Sequence, residues 1–398
     1  MDRIASIAGA LREASLDGWL FYDFRMSDPL AYRILGIPEQ GLTTRRWFCF
    51  IPADGAPVAI VSAVEAHRLD ALPFPGRIVY RSAREMIAAL AGLLKGHHRI
   101  AMNYSANCAI PYVSRVDAGT VELVRSFGVE VITAADLIQV FEATLTTSQL
   151  AGHRRAAAAL RAIVLDALGE IARRIRGNQM CSEASIQRFV LDQIATYGMR
   201  TDEPPIVAVN ANAANPHFSS GEGHDTPIRL GDLVLIDLFA KENGDDAIYG
   251  DLTWMGYVGD AVPEEFARVF AIVAQARDAA VALVQRRIAD RQPVSGAEAD
   301  RAARDIIEAA GYGDQFVHRT GHSIGREVHG TGANLDSLET SDHRCLIENT
   351  CFSVEPGIYL PGRFGVRSEL DMTIADGRAE VSAAPPQKSI IPILADSH

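Results

Sequence analysis

LVLIDLFAKENGDDAIYGDLTWMGYV (233–258) is the stretch that decides the fold. Its ends, LVLIDLFA (233–240) and AIYGDLTWMGYV (247–258), are short, rich in β-branched and aromatic residues, and separated by the turn-forming run ENGDD. They read as the two strands of a hairpin. Each strand carries one acid in apolar surroundings, Asp237 and Asp251, 14 residues apart with Gly244 at the midpoint. Strand side chains alternate faces with period two, so an even separation across a hairpin centred on glycine puts both acids on one face. A three-residue loop with Gly244 left-handed supplies that register, whereas a two-residue Asn243-Gly244 turn would put the acids on opposite faces.

The pattern recurs. TCFSVEPGIYL (350–360) and FGVRSELDMTI (364–374) flank PGR and carry Glu355 and Glu369, again 14 apart, with Gly362 between them. Four carboxylates in strands this apolar would be prohibitively costly to bury without compensating charge. Two divalent cations supply it, and oxygen-rich ligands with one imidazole suit Mn²⁺, Co²⁺ or Zn²⁺. The expected ligand set is Asp237, Asp251, His322, Glu355 and Glu369.

The imidazole comes from HRTGHSIGREVHGTG (318–332). With no Glu after its first His the segment is not a zincin helix, and Gly321, Gly325, Gly330 and Gly332 argue against any continuous helix. Glycines beside His322 let the backbone approach closely, which makes it the ligand and leaves His318 and His329 to face a substrate. His217 lies in NANAANPHFSSGEG (210–223), a Gly/Asn/Ser-rich loop of the adaptable kind that suits a substrate contact. Nothing distinguishes His224 from a solvated loop histidine.

At 398 residues the chain suits two domains, and 48% apolar content is ample for their cores. The first 140 residues alternate helix and strand without a phosphate-binding glycine fingerprint, which reads as an α/β domain spanning 1–143. A capping box, Thr146-x-x-Gln149, then opens a helix to about Arg176 and begins a second, α+β domain spanning 147–398. A helix from Ser182 and the first acid hairpin follow. The order then repeats: Pro263 opens a long helix, Ser295 a shorter one ending at Gly311, and the second acid hairpin closes the half. Two halves of one order imply an internal pseudo-two-fold.

Net charge is −12, and no basic run exists, which argues against nucleic acid or an anionic membrane surface as partner. Five scattered cysteines without a CxxC pair read as reduced core residues. Residues 2–15 form an amphipathic helix rather than a signal peptide, and no apolar run approaches the roughly 18 residues of a membrane span. The expected location is cytoplasmic, which makes the Asn103-Tyr104-Ser105 sequon a chance match.

DLF…GDLTW, HRTGHSIGREVH, SVEPGIY and VRSELD resemble, in order, the signature segments of the pita-bread metallopeptidases, which include methionine aminopeptidase, aminopeptidase P and prolidase. The likeness covers about 147–398; the preceding α/β domain is similar to those of the prolidase, aminopeptidase P and creatinase branch. The resemblance implies metal ligands at Asp237, Asp251, His322, Glu355 and Glu369, substrate-site histidines at His217, His318 and His329, and an arginine at Arg367 that steadies a ligand carboxylate or binds a substrate carboxylate. It also implies two metal ions per subunit, Mn²⁺ foremost, and a homodimer whose N-terminal domain reaches the partner's active site. The first hairpin and the loop after His217 are longer than the common family form, and DLTW replaces DxTR, departures that bear on substrate preference.

The implied activity is that of a Xaa-Pro dipeptidase: a metal-bridging hydroxide attacks the bond before proline while Glu355 shuttles the proton. The alternatives are a Xaa-Pro aminopeptidase on longer peptides, a creatinase-type or other non-peptide amide hydrolase, and a non-catalytic binding protein. Intact ligands weigh against the metal-free and non-catalytic readings.

Overall fold

The computed structural model describes residues 3–38, 43–74, 76–219, 225–340 and 342–395. The chain divides into two compact units between Glu142 and Ala143.

In the first unit, strands β1 (Gly18–Asp23), β2 (Trp47–Pro52), β3 (Val58–Ser62), β4 (Arg77–Tyr80), β5 (Arg99–Met102) and β6 (Glu130–Thr133) form one sheet in the order β4-β3-β2-β1-β5-β6. Only β1-β2 and β2-β3 pair antiparallel. Alternation along β1 sends Trp19 and Phe21 into one apolar layer and Leu20 and Tyr22 into the other, so both faces are buried. Helices α1 (Arg3–Glu13), α2 (Pro29–Leu35), α3 (Ala83–Leu94), α4 (Ala118–Arg125) and α5 (Ala135–Ile138) accompany the sheet. The 3.6-residue stripe of α3, Met86, Leu90 and Leu94, supplies one layer, and Ile7 and Leu11 of α1 the other.

The second unit shows the repeat. The 30-residue α6 (Thr147–Arg176) is followed by the 14-residue α7 (Glu183–Thr196), and the 26-residue α8 (Glu264–Ala289) by the 14-residue α9 (Gly296–Ala309). Thr146, Ser182 and Ser295 all close capping boxes. The resemblance between halves extends to the caps, since Ser182 bridges to Pro227 and Ser295 to Cys345. Strands β7 (Met199–Arg200) and β8 (Ile206–Val209) flank the hairpin of β9 (Leu233–Glu242) and β10 (Gly250–Tyr257). The second half holds β11 (Ser323–Ile324), β12 (Thr350–Val354), β13 (Gly357–Leu360), β14 (Phe364–Arg367), β15 (Leu370–Ala375) and β16 (Arg378–Val381), and β17 (Ile391–Pro392) returns to pair with β10.

The two acid hairpins turn differently. Between β13 and β14 the three-residue loop Pro361-Gly362-Arg363 has Gly362 at φ 73°, and Arg363 N–H donates to Leu360 at 2.9 Å, as expected. The first hairpin departs from expectation. Asp237 pairs with Thr253 and Asp251 with Phe239, so the register centres on Asp245, and the connection runs Asn243–Tyr249 instead of closing tightly on Gly244. Gly244 has φ 136°, outside the compact left-handed well. Pairing stops at Ala240–Gly250 because Tyr249 bonds elsewhere: its N–H donates to Gly325 at 3.0 Å and its hydroxyl to Asp202 at 2.8 Å. The displacement of register is even, so Asp237 and Asp251 still share a face, as diagonal neighbours.

Candidate metal centre

β12–β15 and β13–β14 keep one register across an interruption at Glu355-Pro356 and Ser368-Glu369, which leaves the two glutamates opposite each other. Freed from the ladder, their backbones reach sideways. Glu355 N–H donates to Thr320 in the histidine segment at 2.6 Å, and Glu369 N–H to Thr253 in the first hairpin at 3.1 Å. Three chain segments are thereby stitched around one point. Gly321 permits a close approach here, because a Cβ there would lie 2.0 Å from the Ser353 carbonyl oxygen.

Asp251, His322 and Glu369 each bring a ligand atom within 4.8 Å of the others, all buried. His322 Nε2 is 3.5 Å from Asp251 Oδ2 and 3.3 Å from Glu355 Oε1. Ser353 Oγ, missed in the sequence, accepts from His322 N–H at 3.0 Å and donates to Glu355 at 3.1 Å. Asp237 accepts from Arg367 Nη2, while Arg367 Nε donates to Thr253 Oγ1 at 3.0 Å and that hydroxyl to Glu369 at 2.6 Å. The five expected ligand residues are thus joined directly or, for Asp237, through Arg367 and Thr253.

Whether a cation fits is decided by what these groups lack. Asp237 Oδ1 and Asp251 Oδ1 are buried without a hydrogen-bond partner. Burial, then the neighbouring Asp237 and Glu355, pushes Asp251 well above the usual carboxylate range, and burial with Asp251 and Glu355 does the same to Glu369. Burial also raises Asp237, against the pull of Arg367. Burial raises Glu355 too, but His322, His318 and Arg367 outweigh it and hold Glu355 below its ordinary value. Burial keeps His322 below the usual histidine value despite Glu355. A neutral His322 with Nδ1–H on the Ser323 carbonyl (3.2 Å) turns the Nε2 lone pair toward two acids. A lone pair facing carboxylate oxygens, with orphaned acid oxygens beside it, is a donor set that fits a divalent cation.

Tyr359, not anticipated from the sequence, links the remaining groups. Arg367 Nη1 donates to its hydroxyl at 3.1 Å, and the hydroxyl meets His318 Nε2 at 2.7 Å. With His318 Nδ1 at 2.7 Å from the Arg319 carbonyl, both ring nitrogens are engaged, and burial holds this histidine below its ordinary value. His329 is exposed, its ring centroid 4.4 Å from that of His322, whose proximity depresses its proton affinity. His217 is also exposed, and the carbonyl of the preceding Pro216 accepts from Arg367 at 3.3 Å. His224 lies outside the described residues. Thr253, Tyr359 and Asp371 stand two or four residues from an acid, on the same strand faces, and that period was the available signal.

Residues 151–376, which hold every one of these groups, match metallopeptidase family M24. This chain belongs to metallopeptidase family M24. Among M24-like relatives, the Xaa-Pro dipeptidase of Lactobacillus delbrueckii subsp. lactis is 35% identical over 177 residues, 43% of this chain and 42% of that protein. The chain spans about half the length of the curated relatives it matches. Of solved structures, dipeptidase PepE from Mycobacterium ulcerans superposes with a TM-score of 0.68 at 23% identity, covering 98% of this chain and 96% of that one. The X-prolyl aminopeptidase of Caenorhabditis elegans, a cytosolic enzyme with a di-nuclear active site, gives 0.65 at 16% identity, over 98% of this chain and 63% of that one. These likenesses carry the expected architecture, an α/β unit ahead of an M24 domain, through both units. No helix among the described residues is long and apolar enough to cross a membrane.

Proposed function

We propose that this chain is a dinuclear-metal Xaa-Pro dipeptidase. The observation that carries the reading is the buried meeting of Asp251, His322 and Glu369 beside orphaned oxygens of Asp237 and Asp251, within an M24 match. Asp237, Asp251, His322, Glu355 and Glu369 would hold two divalent cations, Mn²⁺ foremost with Co²⁺ and Zn²⁺ as alternatives. When bound, the cations supply a water of lowered pKa and polarise the scissile carbonyl.

The residues divide the remaining work. Glu355 takes the attacking water's proton and passes it to the departing proline nitrogen, which has no N–H of its own. His329, whose ring lies against His322, and His217, in the loop tied to Arg367 through the Pro216 carbonyl, donate to the carbonyl oxygen as it gains charge. His318 presents its ring on the substrate side, oriented through Tyr359. Arg367 holds Asp237 and Thr253 together rather than waiting for a substrate carboxylate, since four of its five N–H donors are already spent on Asp237, Thr253, Tyr359 and Pro216.

The second reading, a Xaa-Pro aminopeptidase, is favoured by the X-prolyl aminopeptidase likeness in fold. Digestion of Xaa-Pro against Xaa-Pro-Xaa peptides separates the two, run with chelator and then with Mn²⁺, Co²⁺ or Zn²⁺ restored. Cleavage of the dipeptide alone, lost on chelation and regained with metal, is the expected result; chelator-resistant cleavage would overturn the metal reading. The protein is further read as a cytoplasmic homodimer acting on small peptides, to be checked by sedimentation.

A further inference from the structure

The acid hairpins meet along β10 and β15, and the seam between them is unusual. Glu369 N–H donates to the Thr253 carbonyl at 3.1 Å, a main-chain bond from one hairpin to the other. Two residues on, the partner of Asp251 N–H is no carbonyl. It is the side chain of Asp371, whose Oδ2 accepts at 2.8 Å. Asp371 is fully buried, and its Oδ1 has no hydrogen-bond partner. Its own carbonyl accepts from Ser382 N–H at 2.9 Å, which fixes the strand from behind.

Behind Asp371 stands a wall of polar groups outside the ligand set. His153, fully buried on α6, lies with Nδ1 2.6 Å from the Tyr249 carbonyl and Nε2 2.8 Å from Ser382 Oγ. The same Nε2 is 3.2 Å from Cys351 Sγ and 3.9 Å from Asp371 Oδ2. Burying a carboxylate with one oxygen unsatisfied costs free energy that an apolar residue would avoid. What the carboxylate does here is hold the main chain at Asp251, which in turn aims the Asp251 side chain at His322 and Glu369.

We propose that Asp371 is a positioning residue for the metal centre: its hydrogen bond to the Asp251 backbone sets the site that Asp251, His322 and Glu369 offer to a cation. This rests on the metal reading of the preceding subsection. Groups that orient a ligand without touching the metal commonly alter affinity by about 10- to 100-fold when removed.

The test titrates metal-stripped full-length protein with Mn²⁺, counting free ion by its EPR signal, and follows melting in parallel. Asp371→Ala removes the acceptor and should weaken Mn²⁺ binding by about 10- to 100-fold. Asp371→Asn keeps an acceptor oxygen in place and should rescue binding to within about threefold, a recovery that a merely space-filling role would not single out. Should the alanine variant fail to fold, Asp371→Ser takes its place, because a hydroxyl one bond shorter falls short of Asp251 N–H. Wild-type affinity in the alanine or serine variant overturns the proposal, and so does an asparagine variant as weak as either. If wild-type protein itself binds no Mn²⁺, it is the metal reading that fails.

Discussion

Acid should loosen this fold through His153, and the size of the effect follows from its surroundings. Burial pushes the imidazole from the ordinary histidine value of 6.5 down to about 4, in spite of the Tyr249 carbonyl that favours its charged form. The unfolded chain therefore takes up a proton near pH 6.5 that the folded chain refuses until about pH 4. Between those values the unfolded state binds more protons, so stability is complete above pH 6.5 and declines as pH falls. The full span is worth about 3 kcal/mol, of which about 2 kcal/mol is lost by pH 5. His153→Asn removes the titration while its amide nitrogen still reaches the Tyr249 carbonyl. Urea unfolding of metal-stripped protein at pH 7.5 and pH 5 measures the loss, and comparison of the two proteins at each pH cancels what the substitution leaves untouched. Wild type should lose about 2 kcal/mol more than the variant. Equal losses would mean that the folded imidazole takes up its proton as readily as the unfolded one, and burial would not be what holds His153 neutral.

Other substitutions probe the remaining claims. His322→Ala should lower kcat/KM more than 100-fold, beyond what loss of a mere orienting group costs, and reduce bound Mn²⁺ measured by atomic absorption. His329→Ala should retain metal and cut turnover by about 100- to 1000-fold, as loss of an oxyanion donor does; unchanged turnover would remove it from the mechanism. Gly365→Ala would place a Cβ 1.8 Å from the Ala213 carbonyl oxygen, and backbone cannot step aside cheaply. About 1–3 kcal/mol of stability should go, read as a lower Tm, and KM should rise because Ala213 leads into the His217 loop.

The sequence was legible wherever a rule is local. Even spacing put both acid pairs on common faces, and Pro361-Gly362-Arg363 formed the three-residue loop its glycine calls for. Thr146, Ser182 and Ser295 announced the helices they cap. Legibility ended where partners are distant. Gly244 failed to close a tight turn because Tyr249 is claimed by Gly325 and Asp202, which no local pattern reveals. His153 looks like one more position on a long helix until Tyr249, Cys351 and Ser382 are brought against it. Thr253, Tyr359 and Asp371 show only an even spacing from an acid, and each gains its role from a group on another segment.

The open connection Asn243–Tyr249 has a consequence for how such a centre could be retuned. Besides Tyr249 on Gly325, Lys241 donates to the Arg326 carbonyl and stacks its ammonium 4.6 Å from the Tyr249 ring, while Arg326 pairs with Asp246 at 2.8 Å. These ties moor the strip of chain that leads from His322 to His329. Cutting the connection back to a tight turn would preserve the acids in their places yet remove the ties from Tyr249 and Asp246, while Lys241, on β9, keeps its own. Under the proposed roles, the β9–β10 ladder serves Asp237 and Asp251, and this connection serves the segment that carries His329.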